Sequence, residues 1–366
     1  MDNKQPLIVS RRHFLVKGAA VVASAALSPS IMAGAGQQKS LGVALVGLGY
    51  YSTDLLAPAL QLTKHCHLAG IVTGTPDKAK AWKEKYGIKD KNIYDYRNFD
   101  SIKDNPDIDI VYVVLPPSMH REYVIRAAKA GKHVFCEKPM ALTSRDCQEM
   151  IKVCREQKVG LAIGYRCQHD PNTREYMDIA RQQKLGKVKY ISVAASYVES
   201  RKGHWKMKKA IGGGSMYDMG VYALQGARLA AGEEPVAVTA QSVVNRPEIF
   251  NEADEMMMFQ LKFPSGAIAS CMGGHGANAN YLKVNYEKGT LFMEPFSSYK
   301  NNKGTSTLGV IDHPLENQQA RQMDEDALAL LNGNPLTVPG EEGLRDIRIV
   351  EAIYAAVKSG KEVRLA

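Results

Sequence analysis

The sequence lacks the cysteine and histidine spacings that staple small proteins together or bind metals. Its six cysteines include no Cys-x-x-Cys pair, and its nine histidines show no metal-ligand spacing. Cys147 and Cys154 stand seven residues apart on a predicted helix. That spacing is roughly 10 Å along the helix axis, which is too far for a disulfide. We therefore expect buried free thiols and no metal site.

Long apolar runs, internal repeats and low-complexity segments are also missing. The apolar stretch Gly18–Leu27 is interrupted by small polar residues and falls short of the roughly 20 residues that span a bilayer. The net charge is +9, with its densest cluster at Lys202–Lys209, but no nucleic-acid motif accompanies that cluster. A chain of 366 residues, 45% hydrophobic and 23% charged, is typical of a globular protein with two domains and no nucleic-acid partner.

The first 33 residues are typical of an export leader. Ser10–Leu15 reads Ser-Arg-Arg-His-Phe-Leu, a twin-arginine pattern, and Ile31–Ala33 is a small-residue cleavage pattern. A membrane anchor or a Sec signal is the alternative, which the weak apolar run disfavours. We predict a twin-arginine signal peptide over residues 1–33, cleavage after Ala33 or Ala35, and a periplasmic protein. Since that route carries folded proteins, a nucleotide-dependent enzyme using it would travel with its cofactor.

Two regions with different hydrophobic patterns follow the leader. Residues 41–163 alternate apolar strands with amphipathic helices, which predicts a doubly wound parallel sheet. The predicted strands are Gly42–Val46, His67–Thr73, Ile108–Leu115, His133–Cys136 and Gly160–Ile163, and the predicted helices are Thr53–Thr63, Pro76–Tyr86, Met119–Ala130 and Ser144–Glu156. Residues 164–366 contain alternating stretches such as Lys189–Val198, which predict an α+β domain with a large, mainly antiparallel open sheet. One or two helices and a closing helix over Gly343–Ser359 would complete it.

A glycine-rich loop follows the first predicted strand, where Gly47–Ser52 reads Gly-Leu-Gly-Tyr-Tyr-Ser. Gly47 and Gly49 allow a tight turn and a close approach of the backbone to a pyrophosphate at a helix N-terminus. Ser52 is a small residue where a third glycine is usual. With a strand before it and a helix after it, the loop predicts a Rossmann dinucleotide site that Gly47, Gly49, Tyr50 and Ser52 contact.

The end of the second predicted strand distinguishes NADP from NAD. NAD sites usually carry an acidic residue there, which binds the ribose 2′-hydroxyl, but this strand ends at Thr73. The hydroxyl of Thr73 and the ammonium of Lys78 suit a 2′-phosphate, through a hydrogen bond and an opposite charge. Lys78 as an ordinary helix-surface lysine is the alternative. The pattern favours NADP.

Two further segments carry chemistry. Glu137–Pro139 follows the fourth predicted strand, at the carboxyl edge where ligands bind, and the proline holds Lys138 out of helical geometry. Asp218 and Tyr222 are four residues apart and would share one helix face. Because an unperturbed tyrosine is too weak a base at neutral pH, we expect an ammonium such as Lys138 to lower the pKa of Tyr222. A surface lysine and a core tyrosine are the alternatives.

Together these segments resemble the Gfo/Idh/MocA oxidoreductase family, and within it the glucose–fructose oxidoreductase branch. Most relatives place histidine at the position of Tyr222, whereas that branch has tyrosine. The resemblance runs from about Leu41 to the C-terminus. Other matching segments are Ile93–Tyr96, Ala130–Val134, Gly164–Cys167, Ala231–Pro235 and Pro339–Gly343.

The resemblance implies roles for individual residues. Lys138 would be the catalytic lysine, Tyr222 the acid/base tyrosine and Asp218 an acid that helps bind the sugar, so all three would contact substrate. The further cofactor contacts that it implies are Thr73, Lys78, Leu115, Pro116, His120, Glu137, Lys138, Arg166 and Trp205. Lys206 stands where the branch usually has arginine, and the two are not interchangeable at a bidentate site.

The function that the resemblance implies is an exported, NADP-dependent oxidoreductase acting on sugar CH–OH groups. It would oxidise an aldose to its lactone and reduce a second sugar by ping-pong hydride transfer through tightly bound, non-exchanging NADP. One alternative is an NAD-dependent glycoside hydrolase of the same superfamily, against which Thr73 and Lys78 argue. Another is a non-catalytic sugar-binding protein, against which Lys138 and Tyr222 argue. We expect a homo-oligomer, a dimer or tetramer, that pairs through the open face of the second domain's sheet.

Overall fold

The computed structural model describes residues 40–365, so the predicted leader lies outside the described residues. The first sheet has six parallel strands in the order β3-β2-β1-β4-β5-β6. They are β1 (Leu41–Val46), β2 (Cys66–Val72), β3 (Ile93–Tyr94), β4 (Ile110–Val113), β5 (His133–Cys136) and β6 (Leu161–Ile163). Every residue of β1 is buried, as expected for a central strand covered on both faces. The predicted doubly wound sheet is confirmed, although the two-residue strand β3 was not predicted.

Helices connect these strands. They are α1 (Ala57–Ala59), α2 (Pro76–Tyr86), α3 (Pro117–Lys129) and α4 (Ser144–Glu156). The prediction of a regular helix over Thr53–Thr63 was wrong, because a π-helical turn over Tyr51–Leu56 leads into the short α1. Pro58 has no N–H for a regular helical hydrogen bond. The hydroxyl of Thr63 donates to the carbonyls of Leu60 and Cys66, at 2.9 and 2.6 Å, where the chain turns into β2.

The second sheet has nine strands in the order β14-β13-β12-β11-β7-β10-β9-β8-β15. They are β7 (Val188–Ser196), β8 (Ala237–Val243), β9 (Met256–Lys262), β10 (Ile268–Gly274), β11 (Ala279–Tyr286), β12 (Gly289–Met293), β13 (Gly304–Ser306), β14 (Gly309–Ile311) and β15 (Val363–Arg364). Only the β7–β10 pair is parallel, which confirms the predicted mainly antiparallel sheet. One face is buried, while the other carries Tyr190 and Ile268 side by side and exposed.

Residues 164–365 also contain four α-helices. They are α5 (Pro171–Arg181), α6 (Val221–Ala231), α7 (Gln318–Asn332) and the closing helix α8 (Gly340–Ser359). The prediction of one or two helices besides the closing one was therefore too low. Helix α7 returns to the first sheet, where Met323 is buried in one cluster with Leu45 and Tyr112. A larger cluster covers the opposite face of that sheet and the buried face of the second.

Three further features of residues 40–365 bear on the compositional expectations. All six cysteines are buried free thiols. Within this range, no group of three or more histidine, cysteine and acidic side chains is arranged to hold a metal ion. No helix in the same range is both long enough and apolar enough to cross a membrane.

Candidate active site

The glycine loop after β1 combines a strained position with an open one. Gly47 has φ +91°, and a Cβ there would lie 2.5 Å from the carbonyl oxygen of Val114, so only glycine fits. The hydroxyl of Ser52 donates to the carbonyl of Gly47 at 2.6 Å and fixes the turn. A Cβ on Gly49 would meet no atom within 4 Å, and the side chain of Tyr50 is 66% exposed. The loop therefore presents bare backbone to open space at Gly49.

Thr73 and Lys78 lie beside this loop. Thr73 follows β2, and its side-chain oxygen accepts a hydrogen bond from the N–H of Thr75 at 3.2 Å, which leaves the hydroxyl proton to donate elsewhere. Lys78 lies on the first turns of α2, and its ammonium donates to the carbonyl oxygen of Leu48 at 3.1 Å. The structure thus places the Lys78 ammonium at the glycine loop, and binding of a 2′-phosphate by Thr73 and Lys78 stays a prediction.

His120 ties together two loops at the carboxyl edge of the first sheet. Its Nε2 lies 2.7 Å from the carbonyl oxygen of Leu115, and its Nδ1 lies 3.0 Å from that of Pro139. Burial lowers the pKa of His120, although the carbonyls oppose that shift. Leu115 and Pro116 form a loop that immediately precedes α3. His120 therefore fixes that loop relative to the loop that carries Lys138. Both ring nitrogens of His120 thus lie within hydrogen-bond distance of backbone carbonyl oxygens.

Glu137 carries a buried carboxyl group next to Lys138. It accepts hydrogen bonds from the Tyr112 hydroxyl at 2.6 Å and from the Lys138 N–H at 3.2 Å. Burial raises its pKa to about 7, against the opposing effects of Tyr112 and Lys138. Gln322 of α7 donates to the Tyr112 hydroxyl at 2.9 Å. Glu137 is therefore held in place from the first sheet and from α7.

Lys138 contacts both of the other residues predicted to be catalytic. Its Nζ donates to the backbone carbonyl of Asp218 at 2.7 Å and lies 3.5 Å from the carboxylate Oδ1. It also lies 4.5 Å from the centroid of the Tyr222 ring. The loop after β5, the turn before α6 and the first residues of α6 thus bring a cation, a carboxylate and a phenol to one place.

Asp218 and Tyr222 do not lie on one regular α-helix as predicted. Met216–Gly220 forms a π-helical turn, and α6 begins at Val221. Extra-wide turns of this kind are frequent at functional sites. Asp254 anchors the start of the turn by accepting the N–H of Ser215 at 3.0 Å. Because of this widened turn, Asp218 and Tyr222 are not spaced as they would be on one face of a regular α-helix. Lys138 contacts both residues.

Four side chains surround the Asp218 carboxylate, and we call this group of five the Asp218 cluster. Its members are Lys138, Tyr197, Lys206, Asp218 and His275. Lys206 donates to Oδ2 at 2.6 Å, Tyr197 donates to the same oxygen at 3.3 Å, and the Nε2 of His275 lies 3.7 Å from it. Burial alone would raise the pKa of Asp218, but the ammonium groups of Lys206 and Lys138 hold it well below its usual value. Asp218 is thus ionised, and its Oδ2 accepts hydrogen bonds from Lys206 and Tyr197.

The electrostatics of Tyr222 differ from the expectation. Burial raises the pKa of Tyr222 above its usual value, and Arg166, rather than Lys138, is the main cation that opposes this shift. The guanidinium of Arg166 lies 5.2 Å from the Tyr222 ring and 4.5 Å from the Tyr299 ring. Lys138 lies against the ring face and donates to Asp218. Tyr222 therefore holds its proton in this state.

Trp205 lies beside the Asp218 cluster. Its ring is 5.8 Å from that of His204 and 6.0 Å from the Lys206 ammonium, on the side of the Asp218 cluster. Tyr51 lies closer to the catalytic residues than the predicted Tyr50. The ring of Tyr51 is 6.0 Å from that of Tyr299, and its hydroxyl interacts with Glu137, Arg166 and Tyr222.

Sequence reasoning missed four residues of this site: Tyr51, Tyr197, His275 and Tyr299. Tyr51 stands within the glycine loop itself, so a closer inspection of the loop would have found it. The other three belong to the second region, where no local motif marks them. Only the fold brings them to Asp218 or Arg166.

The residues present fit a nicotinamide dinucleotide. The open backbone at Gly49 leaves room for a pyrophosphate, and Lys78 and Thr73 border that loop. At the other end, the Arg166 Nε and the Gln322 Oε1 are buried polar atoms without a hydrogen-bond partner among the described residues. Such groups are costly unless a bound molecule or water satisfies them. Gln322 is linked to Glu137 through the Tyr112 hydroxyl, and the charge of Arg166 interacts with Glu137 directly.

Comparisons with known proteins agree with this architecture. A family model described as "Oxidoreductase family, NAD-binding Rossmann fold" matches residues 41–165, and a "GFO/IDH/MocA C-terminal domain" model matches residues 173–292. A solved structure of aldose-aldose oxidoreductase from Caulobacter crescentus, complexed with glycerol, is 40% identical with a TM-score of 0.86. The match covers 89% of this chain and 100% of that one.

Two relatives of different activity are also similar. D-xylose 1-dehydrogenase [NADP(+)] of Haloarcula marismortui is 27% identical over 335 residues, which is 88% of this chain and 92% of the relative. The 2,7-anhydro-N-acetylneuraminate hydratase of Escherichia coli is 26% identical over 256 residues, covering 68% of this chain and 66% of that enzyme.

Proposed function

We propose that this chain, which belongs to the Gfo/Idh/MocA oxidoreductase family, is an exported sugar oxidoreductase that keeps its NADP between half-reactions. It would oxidise an aldose at the anomeric carbon to a lactone and then reduce a second sugar. The similarity to an aldose-aldose oxidoreductase and to an NADP-dependent xylose dehydrogenase supports the substrate class and the cofactor.

The observation that carries the proposal is the convergence of Lys138, Asp218 and Tyr222. The Lys138 ammonium lies 2.7 Å from the Asp218 backbone carbonyl and 4.5 Å from the Tyr222 ring centroid. An oxidised CH–OH group must lose a proton from oxygen and a hydride from carbon. A phenolate can take the proton, and a buried carboxylate can orient the sugar hydroxyls by accepting hydrogen bonds.

The protein groups divide the work as follows. NADP, when bound, supplies the acceptor and later the donor of the hydride, and the glycine loop, Thr73 and Lys78 would hold its phosphates. Once it has released its own proton to solvent, Tyr222 as a phenolate accepts the hydroxyl proton during oxidation, and as a phenol it returns that proton to the carbonyl oxygen of the second sugar. Arg166 and Lys138 stabilise the phenolate while the proton is absent. Because burial raises the pKa of Tyr222, the protein favours the phenol form that the reductive half uses, and deprotonation of Tyr222 must precede the oxidative half.

Two parts of the proposal rest on sequence. Thr73 and Lys78 favour a 2′-phosphate, and hence NADP, over the free ribose of NAD. The twin-arginine pattern over Ser10–Leu15 supports periplasmic export of the folded protein. Fractionation of cells that express the intact chain and a variant with both Arg11 and Arg12 replaced by lysine tests the export. Retention of only the variant in the cytoplasm is the expected result.

Absorbance spectroscopy of protein purified without added nucleotide tests the catalytic cycle. The near-ultraviolet band of reduced nicotinamide is expected after addition of an aldose, and a second carbonyl sugar should remove it. A protein that purifies with no nucleotide, or whose bound nucleotide no aldose reduces, contradicts the proposal.

A second candidate function follows from the similarity to a 2,7-anhydro-N-acetylneuraminate hydratase. In a hydratase-like or glycosidase-like reaction, redox change would be transient and the net product would stay at the oxidation level of the substrate. Product analysis separates the two. An aldonate or its lactone together with a polyol supports the oxidoreductase, whereas a hydrated or hydrolysed sugar with no net oxidation supports the alternative.

We also propose that copies of the chain pair through the open face of the second sheet. Tyr190, Met258, Ile268 and Phe292 are exposed large apolar side chains of that sheet. Such a patch on an otherwise polar surface is typical of an interface. Analytical ultracentrifugation of the native protein and of a Tyr190→Glu variant tests this, with a dimer or tetramer expected to dissociate in the variant.

A further inference from the structure

His275 is a buried histidine that the mechanism above does not use. It follows β10 directly, its side chain is fully buried, and neither ring nitrogen has a hydrogen-bond partner among the described residues. An imidazole without partners in the interior forfeits the hydrogen bonds that it would make in water. Such an arrangement calls for a specific explanation at this place, because the Nε2 lies 3.7 Å from Oδ2 of Asp218.

The backbone of His275 is fixed from three directions. Its N–H donates to the carbonyl of Glu255 at 2.8 Å, and its carbonyl accepts from Arg246 at 2.5 Å and from the N–H of Glu199 at 3.1 Å. Gly274 precedes it with φ +149°, and a side chain there would collide with the backbone of Glu255. The backbone of His275 is therefore held in place without any contribution from its ring.

Two aromatic rings set the orientation of the imidazole. Phe250 stacks on it with a centroid distance of 5.9 Å and an interplanar angle of 13°, and Tyr197 meets it edge-on at 5.0 Å and 81°. Tyr197 is also a donor to the same carboxylate oxygen of Asp218. The ring is thus aimed at Asp218 rather than free to turn toward another partner.

We propose that His275 is a positioning residue that holds the Asp218 carboxylate when the sugar binds. In the present structure, Oδ2 of Asp218 accepts from Lys206 and Tyr197. A sugar hydroxyl entering the Asp218 cluster competes for the Lys206 and Tyr197 donors. The Nε2–H of neutral His275 then replaces the lost donor by a small approach, so the carboxylate keeps its orientation. This inference rests on the proposed function, since it assigns Asp218 to sugar binding.

The charges around His275 determine its protonation. Burial lowers its pKa, Asp218, Glu199 and Asp254 oppose that shift, and Lys206 reinforces it. Arg246 also lies against it, with its guanidinium on the His275 carbonyl. The imidazole is therefore neutral at neutral pH. Protonation at acidic pH would make it a charged partner of Asp218 that competes with the sugar.

Steady-state kinetics of the NADP-loaded enzyme with D-xylose and D-glucose test the proposal. His275→Phe keeps a ring between Phe250 and Tyr197 but removes the donor, and His275→Gln keeps an N–H near the Nε2 position. Loss of one hydrogen bond to a charged group predicts a KM for the aldose about tenfold higher in the Phe variant. The Gln variant should restore most of that loss. Because Asp218 binds the sugar in both ground and transition states, kcat should change much less than KM.

The pH profile supplies an independent readout. The KM of the wild-type enzyme should rise as the pH falls below neutrality, and that rise should be absent in His275→Gln, which has no group to protonate there. His67→Phe, an exposed histidine on β2, is the matched control and should behave as wild type. If the Phe variant fails to fold, the comparison of wild type with the Gln variant still decides the question.

Three results would overturn the role of His275. They are an unchanged KM in the Phe variant, an equal rise of KM in the Phe and Gln variants, which would indicate ring packing alone, and pH profiles of KM that coincide in wild type and the Gln variant. A wild-type enzyme that reduces no nucleotide with either sugar would instead overturn the proposed function, and the inference with it.

Discussion

The glycine loop at one end of the site is built from the backbone of six consecutive residues, Gly47–Ser52, whereas the Asp218 cluster is built from side chains that separate segments supply. In the loop, Gly47 and Gly49 act through the absence of a side chain, and Ser52 bonds back to Gly47. In the cluster, cations and an imidazole converge on one carboxylate.

Because of this difference, the two ends of the site should tolerate different substitutions. A backbone cradle recognises a phosphate through N–H groups, which all sequences possess, so its requirement is steric. A side-chain cluster depends on the charge and reach of each member, because the Lys206 and Lys138 ammonium groups that contact Asp218 also lower its pKa. Substitutions should therefore act through shape in the loop and through charge in the cluster and around Tyr222.

The largest effect is expected at Tyr222. Replacement by Phe removes the only group in our mechanism that takes the sugar proton, and loss of a general acid or base typically lowers turnover by 10²–10⁴-fold. We expect kcat to fall by about 10³-fold, with the bound NADP per protein unchanged when it is measured by absorbance. Tyr286→Phe, which removes a buried tyrosine hydroxyl on β11 that has no hydrogen-bond partner among the described residues, is the matched control and should stay close to wild type. More than a tenth of wild-type activity in Tyr222→Phe would contradict the assignment.

Cofactor preference should shift when the side chains beside the loop are exchanged. Thr73→Asp combined with Lys78→Ala removes a hydroxyl and an ammonium and adds a carboxylate that repels the 2′-phosphate. Two lost contacts to a charged group predict a fall of about 100-fold in the affinity for NADP relative to NAD. Titration calorimetry with both nucleotides measures the ratio. Lys80→Ala, on the same helix, should leave it unchanged, and an unaltered ratio in the double variant would argue against NADP.

How far the fold could be predicted depends on where the signals lie. Helices Pro76–Tyr86 and Ser144–Glu156 have the predicted bounds because each begins with a local signal. The first has proline in its first turn, and the second has Thr143, whose hydroxyl accepts the N–H of Asp146 at 3.1 Å. Strand β3 was missed because Ile93–Tyr94 is too short to show a period.

The same contrast holds for the site. The glycine loop and Lys138 stand in contiguous motifs next to predicted strands, so the sequence was sufficient to place them. Tyr197 and His275 lie at the ends of β7 and β10, which pair in parallel although they are far apart in the chain. Their meeting at Asp218 follows from that pairing, which no local pattern indicates. The burial that raises the pKa of Tyr222 is likewise a property of the assembled core.

The steric requirement of the loop can be separated into two parts. Gly47→Ala should lower the free energy of unfolding by about 1–3 kcal/mol, because a Cβ at positive φ also meets the Val114 carbonyl. Gly49→Ala should change it by less than about 0.5 kcal/mol, since its Cβ meets open space. The second variant should instead lose affinity for NADP. Urea denaturation and calorimetry distinguish these outcomes, and equal destabilisation by both would refute the distinction.

The smallest effect is expected at Glu137, which lies where the two regions meet. Burial raises its pKa from 4.5 to about 7, so between these values the folded protein binds more protons than the unfolded chain. The free energy of unfolding must therefore fall as the pH rises through that window, by at most about 1.4 kcal/mol per pH unit.

Asp346 contributes a similar fall, but its raised pKa is about 6, so its contribution is largely complete above that pH. Urea denaturation of nucleotide-free protein should therefore show a shallower decline in Glu137→Gln than in wild type between pH 6 and 7. Asp346→Asn, the control, should retain the wild-type decline in this range. The Gln side chain can still accept the hydrogen bond from Tyr112. Any difference between the stability profiles of the variant and wild type therefore arises from the charge of Glu137. Parallel profiles for wild type and Glu137→Gln would mean that Glu137 is ionised throughout, compensated by Lys138 and Arg166, and that it belongs electrostatically to the cationic region around Tyr222.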